Sequence, residues 1–260
     1  MEAYPEMKRL NLLGAYLKNI FRKKNILILG YGEIGKALEN IYGHKYNILK
    51  IEEGKILPPL KNIEILDVCI PYNDEFIDII KDYIRLYKPK LTIIHSTVYP
   101  GTTKKISKSN IVYSPVIGIH PYLEKSIKTF KKFIGSNDRG GLKKVKRHFK
   151  RNKIKFKVLQ NSKTVETAKF LSPLYYGMCI SFHDDVNNLC KKEKLNFDQV
   201  MTEWNKEYNL GYKKMDIDNV IRPILEPANG KIGGHCIIPN AEIIKNYFNS
   251  EIVDYVLKLK

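Results

Sequence analysis

A chain of 260 residues can bury a proper core and hold one large or two modest domains. Its hydrophobic fraction of 43% is ordinary, no apolar run is long enough to span a membrane, and no signal peptide precedes the first predicted strand, so a cytoplasmic location is expected. The formal net charge of +18 comes mostly from lysines spread along the chain, which reads as lysine on solvated faces. The densest basic run, Lys143 to Lys157, has few interleaved aromatics, so no nucleic-acid partner is expected. An anionic ligand would account for part of the charge. Cys69, Cys179, Cys190 and Cys236 form no CxxC pair. That argues against a zinc knuckle or a disulfide scaffold, and no metal is expected.

Met7, Leu10, Leu13, Leu17 and Ile20 fall at helical spacing within residues 1–24. They predict a helix that packs on the body or on a second subunit. Ile26 to Leu29 then form an unbroken apolar run, which suits a parallel strand buried on both faces. Gly30, Gly32 and Gly35 follow as Gly-x-Gly-x-x-Gly, and Lys36 to Tyr42 reads as a helix. A tight turn at Gly30, an open backbone at Gly32 and close helix packing at Gly35 make this a dinucleotide cradle. Tyr31, Glu33 and Ile34 belong to the same turn.

Tyr46 to Ile51 is the expected second strand. Glu52 stands directly after it, where an acid can bond the adenosine ribose hydroxyls of NAD. Lys50 is the alternative and would suit the 2′-phosphate of NADP. Strands are expected over Ile63 to Ile70, ending at Pro71, and over Leu91 to His95, with a helix over Asp74 to Tyr87 between them. This alternation predicts a doubly wound, Rossmann-type parallel sheet over residues 25–160. Pro71, Ser96 and Thr97 lie at strand ends, where open α/β sheets bind ligands.

A mostly helical domain is expected over residues 161–260. Ser162 to Lys192 reads as a long central helix that Pro173 should kink or delay. A second helix is expected over Asn196 to Asn205, a loop over Asn209 to Gly230, and one amphipathic helix over Ala241 to Leu259.

Four segments carry a resemblance. Ser96-Thr-Val-Tyr-Pro-Gly-Thr-Thr103 resembles the Ser-Thr-Val-x-Pro-Gly-Thr-Thr loop of the UDP-glucose/GDP-mannose dehydrogenase family. Tyr113-Ser-Pro115, Glu166-Thr-Ala-Lys169 and Gly233-Gly-His-Cys-Ile237 resemble, in order, that family's Ser-Pro-Glu strand end, its Glu-x-x-Lys helix start and its cysteine loop. The resemblance implies an NAD(P)-dependent oxidoreductase acting on a sugar or related small, anionic alcohol. It implies Cys236 as nucleophile, Lys169 as alkoxide stabiliser or general acid/base, and Thr97 as an orienting hydroxyl. It also implies a homodimer formed through the long helix, with Phe170, Leu171, Leu174, Met178 and Phe182 offering apolar surface. It stops before the family's second α/β domain, so a truncated member is expected.

Three departures stand out. Val116 replaces the family's Glu, Pro173 its Asn, and Asn240 its Asp. A general base, an oxyanion donor and a water-placing carboxylate are therefore missing. Cysteine and lysine alone can support a simpler two-electron step, with His120 of Gly118-Ile-His-Pro121 as a further acid/base candidate. A dinucleotide-binding partner or sensor without catalysis is the third reading.

Overall fold

The computed structural model describes residues 23–52, 54–55, 57–58, 60–232 and 236–260. The helix expected within residues 1–24 falls almost wholly outside them. The chain divides into two compact units, the first running to Thr167 and the second from Ala168 to Lys260.

The first unit is built on β1 (Asn25–Leu29), in which Ile26, Leu27, Ile28 and Leu29 are all fully buried. It lies between β2 (Asn47–Ile51) and β3 (Ile63–Val68), followed outward by β4 (Thr92–Ile94) and β5 (Ile111–Tyr113). All pairings in the order β2-β1-β3-β4-β5 are parallel. The chain leaves β2 and returns on the far side of β1, which sets the switch point beside β1 and β3. Helices α1 (Glu33–Tyr42), α4 (Leu123–Thr129) and α5 (Arg139–Arg151) put Leu38, Tyr42, Leu123, Val145 and Phe149 on one face. Helices α2 (Phe76–Tyr87) and α3 (Thr102–Ile106) put Phe76, Ile80, Tyr83 and Ile106 on the other. Each such side chain contributes about 1.5–3 kcal/mol on burial, so both faces stabilise the sheet. A short parallel pair, β6 (Lys132–Ile134) and β7 (Phe156–Val158), is joined to β5 by an antiparallel bridge from Tyr113 to Gly135.

A polar chain runs through this apolar interior. Tyr42, Asp67, His95 and Lys132 are each at most 2% exposed. Lys132 Nζ donates to the carbonyls of Ser114 (2.8 Å) and Pro115 (3.0 Å) and meets His95 Nδ1 at 3.3 Å. An ammonium has three donors and no acceptor, so His95 Nδ1 accepts and its Nε2–H donates to Asp67 Oδ1 at 2.8 Å. Tyr42 donates to the other Asp67 oxygen at 3.0 Å. Burial, then the Lys132 charge, hold the His95 pKa below its usual value, against the pull of Asp67.

The second unit is helical. Helix α6 (Ser162–Glu193) begins in the first unit and runs 32 residues through Pro173, without the delay that was one of the two expected effects. Phe170 and Leu174 are buried against α8 (Ile237–Ile244) and α9 (Glu251–Leu257), so these two do not offer surface to a second subunit. Leu171, Tyr175, Phe182 and Leu189 recur at spacings of four and seven on one exposed face of α6.

Two expectations fail here. The chain expected to be a loop from Asn209 is helical to Lys214, because a π-helical turn over Asp198–Glu203 leads directly into α7 (Trp204–Lys214). Tertiary contacts override the weak propensities of Asn209 and Gly211: Arg222 lies 3.4 Å from the Tyr208 ring centre, and Asn209 pairs with both backbone groups of Arg222 at 2.8 Å. The single final helix is instead α8 and α9, because Tyr247 and Phe248 both turn back onto the Ile244 carbonyl and Ser250 caps α9. No helix among the described residues is long and apolar enough to cross a membrane.

His148 on α5 is buried, and burial lowers its pKa from 6.5 to about 4. The unfolded chain therefore takes up this proton first, and stability falls as pH drops through that window. The loss should reach about 3 kcal/mol between those two pKa values. His95 acts in the same direction. Urea midpoints at about pH 7 and pH 4.5 should differ accordingly, and His148→Phe should flatten the dependence. Equal midpoints in the unsubstituted protein would contradict the assignment.

Candidate functional site

The first unit places the glycine turn at the carboxyl ends of β1 and β3. Gly30 has φ +90°, and a Cβ on it would come within 2.8 Å of the Cys69 carbonyl carbon. A Cβ on Gly35 would meet the Gly30 oxygen at 2.5 Å, so β1 and α1 can approach only through two glycines. Gly32 is different: a Cβ there meets nothing within 4 Å. Its backbone borders open space beside the first turn of α1, where the N–H groups of Glu33, Ile34 and Gly35 have no intrahelical partner by position. That is the room and the donor set that a pyrophosphate needs.

Around this turn the expected cofactor residues separate by role. Tyr31 Oη donates to Glu39, and Lys50 Nζ lies 4.3 Å from the Tyr31 ring centre and 2.8 Å from a Glu39 oxygen. Burial works upward on the Glu39 pKa, but the bonds from Lys50 and Tyr31 hold it below its usual value. Bonding to Glu39, then to Tyr31, raises the Lys50 pKa. Lys50 is thus already engaged. Glu52 stands exposed just past β2 and is paired with Lys55. Pro71 is exposed, Ser96 is buried with its Oγ donating to the Ile70 carbonyl at 2.6 Å, and Thr97 is half-buried. His120 does not stand alone: its Nδ1 is paired with Glu33 at the start of α1.

The loop Ser96 to Thr103 is held by a residue whose role spacing did not reveal. Glu166 is fully buried, and its carboxylate accepts from the Gly101 N–H (2.5 Å) and the Thr103 N–H (2.9 Å). Gly101 has φ +97° and opens α3, so the carboxylate serves the orphan amides of that short helix. Two motifs that read separately in sequence are therefore one clamp.

The second unit brings Lys169 and Cys236 together. Burial lowers the Lys169 pKa, and the nearby Cys236 charge works in the opposite direction. Cys236 is exposed and occupies the N-cap position of α8, its carbonyl accepting from Asn240 N at 3.2 Å. Gly233, Gly234 and His235 lie outside the described residues. A residue that sequence reasoning missed sets this approach. A Cβ on Gly177 would meet Ile237 Cγ2 at 2.6 Å and Val256 Cγ1 at 2.9 Å. Only glycine lets α8 pack so close to α6. The available signal was a glycine inside a helix, which costs about 1 kcal/mol unless it has a packing reason. Val116 is buried in the sheet core and offers no base.

No protein-family model matches the sequence, and none of the curated proteins does. Solved structures do match. The UDP-D-ManNAc dehydrogenase of Pyrococcus horikoshii aligns at a TM-score of 0.72 and 14% identity over 90% of this chain and 68% of its own. The UDP-glucose dehydrogenase of Pyrobaculum islandicum aligns at 0.66 and 13% over 92% and 68%. The 3-hydroxyisobutyrate dehydrogenase of Mycobacterium tuberculosis aligns at 0.67 and 12% over 90% and 91%.

Replacing Glu166 by Gln should cost about 2 kcal/mol or more, because an amide NH₂ would face one of the two backbone donors. Denaturant titration of Glu166→Gln checks this, and an unchanged midpoint would show that the clamp is dispensable. Across most of its length the chain has the fold of the nucleotide-sugar and hydroxyacid dehydrogenases: a Rossmann-type parallel sheet followed by a helical part with one long helix.

Proposed function

We propose that this protein is a dinucleotide-dependent dehydrogenase acting on a CH–OH group of a sugar or related alcohol, with NAD preferred over NADP. The feature that supports the chemistry best is a half-buried Lys169, its pKa lowered by desolvation, within electrostatic reach of an exposed Cys236. The open backbone at Gly32 supports the cofactor.

The dinucleotide, when bound, supplies the hydride acceptor. Lys169 in its neutral form takes the hydroxyl proton as the substrate carbon gives up hydride, and as an ammonium it stabilises oxyanions. The Cys236 thiolate can then add to the aldehyde carbon, forming a C–S bond while the carbonyl oxygen takes a proton. Loss of a second hydride from that carbon to a second oxidised dinucleotide, together with loss of the hydroxyl proton, leaves a thioester on Cys236. Water must then attack the thioester, releasing carboxylate and thiol. Neither the buried Val116 nor Asn240 can act as base for that water. Hydrolysis should be slow, by the ~10²–10⁴-fold that a lost general base costs. Glu52, exposed just past the second strand and paired with Lys55, disfavours a 2′-phosphate, whereas Lys50 is held by Glu39 and Tyr31.

Leu171, Tyr175, Phe182 and Leu189 form the contact face for a second copy in this reading. Light scattering at micromolar concentration should give a dimer, and Phe182→Glu should give a monomer. A monomeric unsubstituted protein would remove this part.

Calorimetry should show NADH binding more tightly than NADPH. Gly32→Val should abolish the binding without unfolding the protein, since Gly32 has an ordinary φ of −76°. Equal affinity in the variant would overturn the cofactor assignment. Intact-protein mass spectrometry after incubation with NAD and candidate sugars should reveal an adduct that Cys236→Ser abolishes. Rapid release of two NADH per substrate would show that another group supplies the base. Cofactor binding with neither adduct nor NADH would support a non-catalytic sensor.

A further inference from the structure

The first unit has a cavity of about 330 Å³ that the reading above does not use. It opens where the strands begin: its lining takes in Lys24, just before β1, Glu64 and Ile65 near the start of β3, and Lys90 and Leu91, just before β4. Lys144, Arg147, His148 and Arg151 of α5 complete it, together with Tyr46. The glycine turn lies at the opposite, carboxyl ends of the strands.

Five cationic side chains line this cavity against one carboxylate. Glu64 is shared by Lys24 (2.6 Å) and Lys90 (3.1 Å), and Lys144 is bonded to the Lys90 carbonyl and Asn110 Oδ1. Arg147 and Arg151 stand one turn apart on α5, and neither guanidinium is hydrogen-bonded to another described residue. Arg151 lies 5.2 Å from the Tyr46 ring centre, which places its fork over the aromatic wall.

His148 forms part of the cavity wall and is 6% exposed. Its Nδ1 is met by Asn152 Nδ2 at 3.3 Å and Tyr46 Oη at 3.4 Å. Asn152 Nδ2 also donates to the His148 carbonyl, which fixes it as the donor. His148 Nδ1 therefore accepts, and the ring proton sits on Nε2. That Nε2–H has no hydrogen-bond partner among the described residues.

We infer that this cavity is an anion site for a small phosphate-bearing molecule, free pyrophosphate or the phosphoryl group of a sugar phosphate. Arg147 and Arg151 form bidentate bonds to its oxygens. The rest of the cavity is walled by Tyr46, Ile65 and Leu91, too small and apolar-floored for a polymer to thread.

The test is calorimetry in about 0.1 M salt, with inorganic pyrophosphate and glucose 6-phosphate as separate probes. It uses the unsubstituted protein, R147Q/R151Q and Gly32→Val. Tighter binding of one probe identifies which source the site prefers. Binding that falls at least about tenfold in R147Q/R151Q and persists in Gly32→Val is the expected result. Both arginines are exposed, so the double variant should fold, and retained NADH affinity verifies it. Loss in Gly32→Val instead would place the anion at the glycine turn and overturn the inference. Unchanged binding in R147Q/R151Q would do the same. So would failure of both probes beside tight, steeply salt-dependent binding of an oligonucleotide, which would mark a nucleic-acid surface.

Discussion

The Glu166 carboxylate is the interaction that the ligand end of the first unit depends on. Burying an ionised carboxyl group without partners is prohibitively expensive. Here the cost is offset by two amide donors on one short helix, Gly101 and Thr103. The bond fixes the loop that leaves β4, and the Ser96 hydroxyl fixes the same loop to the end of β3. The first turns of α6 thereby become part of the sheet.

The sheet was legible in the sequence because its signals are local. An unbroken run such as Ile26 to Leu29 has no polar face to turn outward, so it must lie between two layers. The Gly30, Gly32 and Gly35 spacing works through contacts over a few residues, or through a strand end that the alternation already implied. The Glu166 role was not legible. Its partners lie 63 and 65 residues earlier, and nothing in Glu-x-x-Lys says which distant amides need an acceptor.

The helical unit was read less well, for a related reason. The helices that follow α6 are short, so tertiary contacts decide where they stop. Asn209 looks like a loop residue until Arg222 folds back onto it. The run from Ala241 to Leu259 keeps a helical hydrophobic pattern across Tyr247 and Phe248, where the backbone in fact turns. Gly177 is the reverse case: a residue that weakens a helix locally is required by the neighbours that crowd it.

The polar chain through the sheet has a consequence for sequence drift. Lys132, His95, Asp67 and Tyr42 use every donor that Lys132 has and both oxygens of Asp67. Loss of Lys132 would leave Asp67 buried without its cationic partner network, and loss of Asp67 would strand Lys132 in the same way. Replacing the whole set by apolar residues of similar volume is far less damaging than replacing one. No sequence of single, harmless steps leads from one arrangement to the other. Homologous chains should therefore fall into two groups, one carrying all these polar residues and one carrying none, with few intermediates between them.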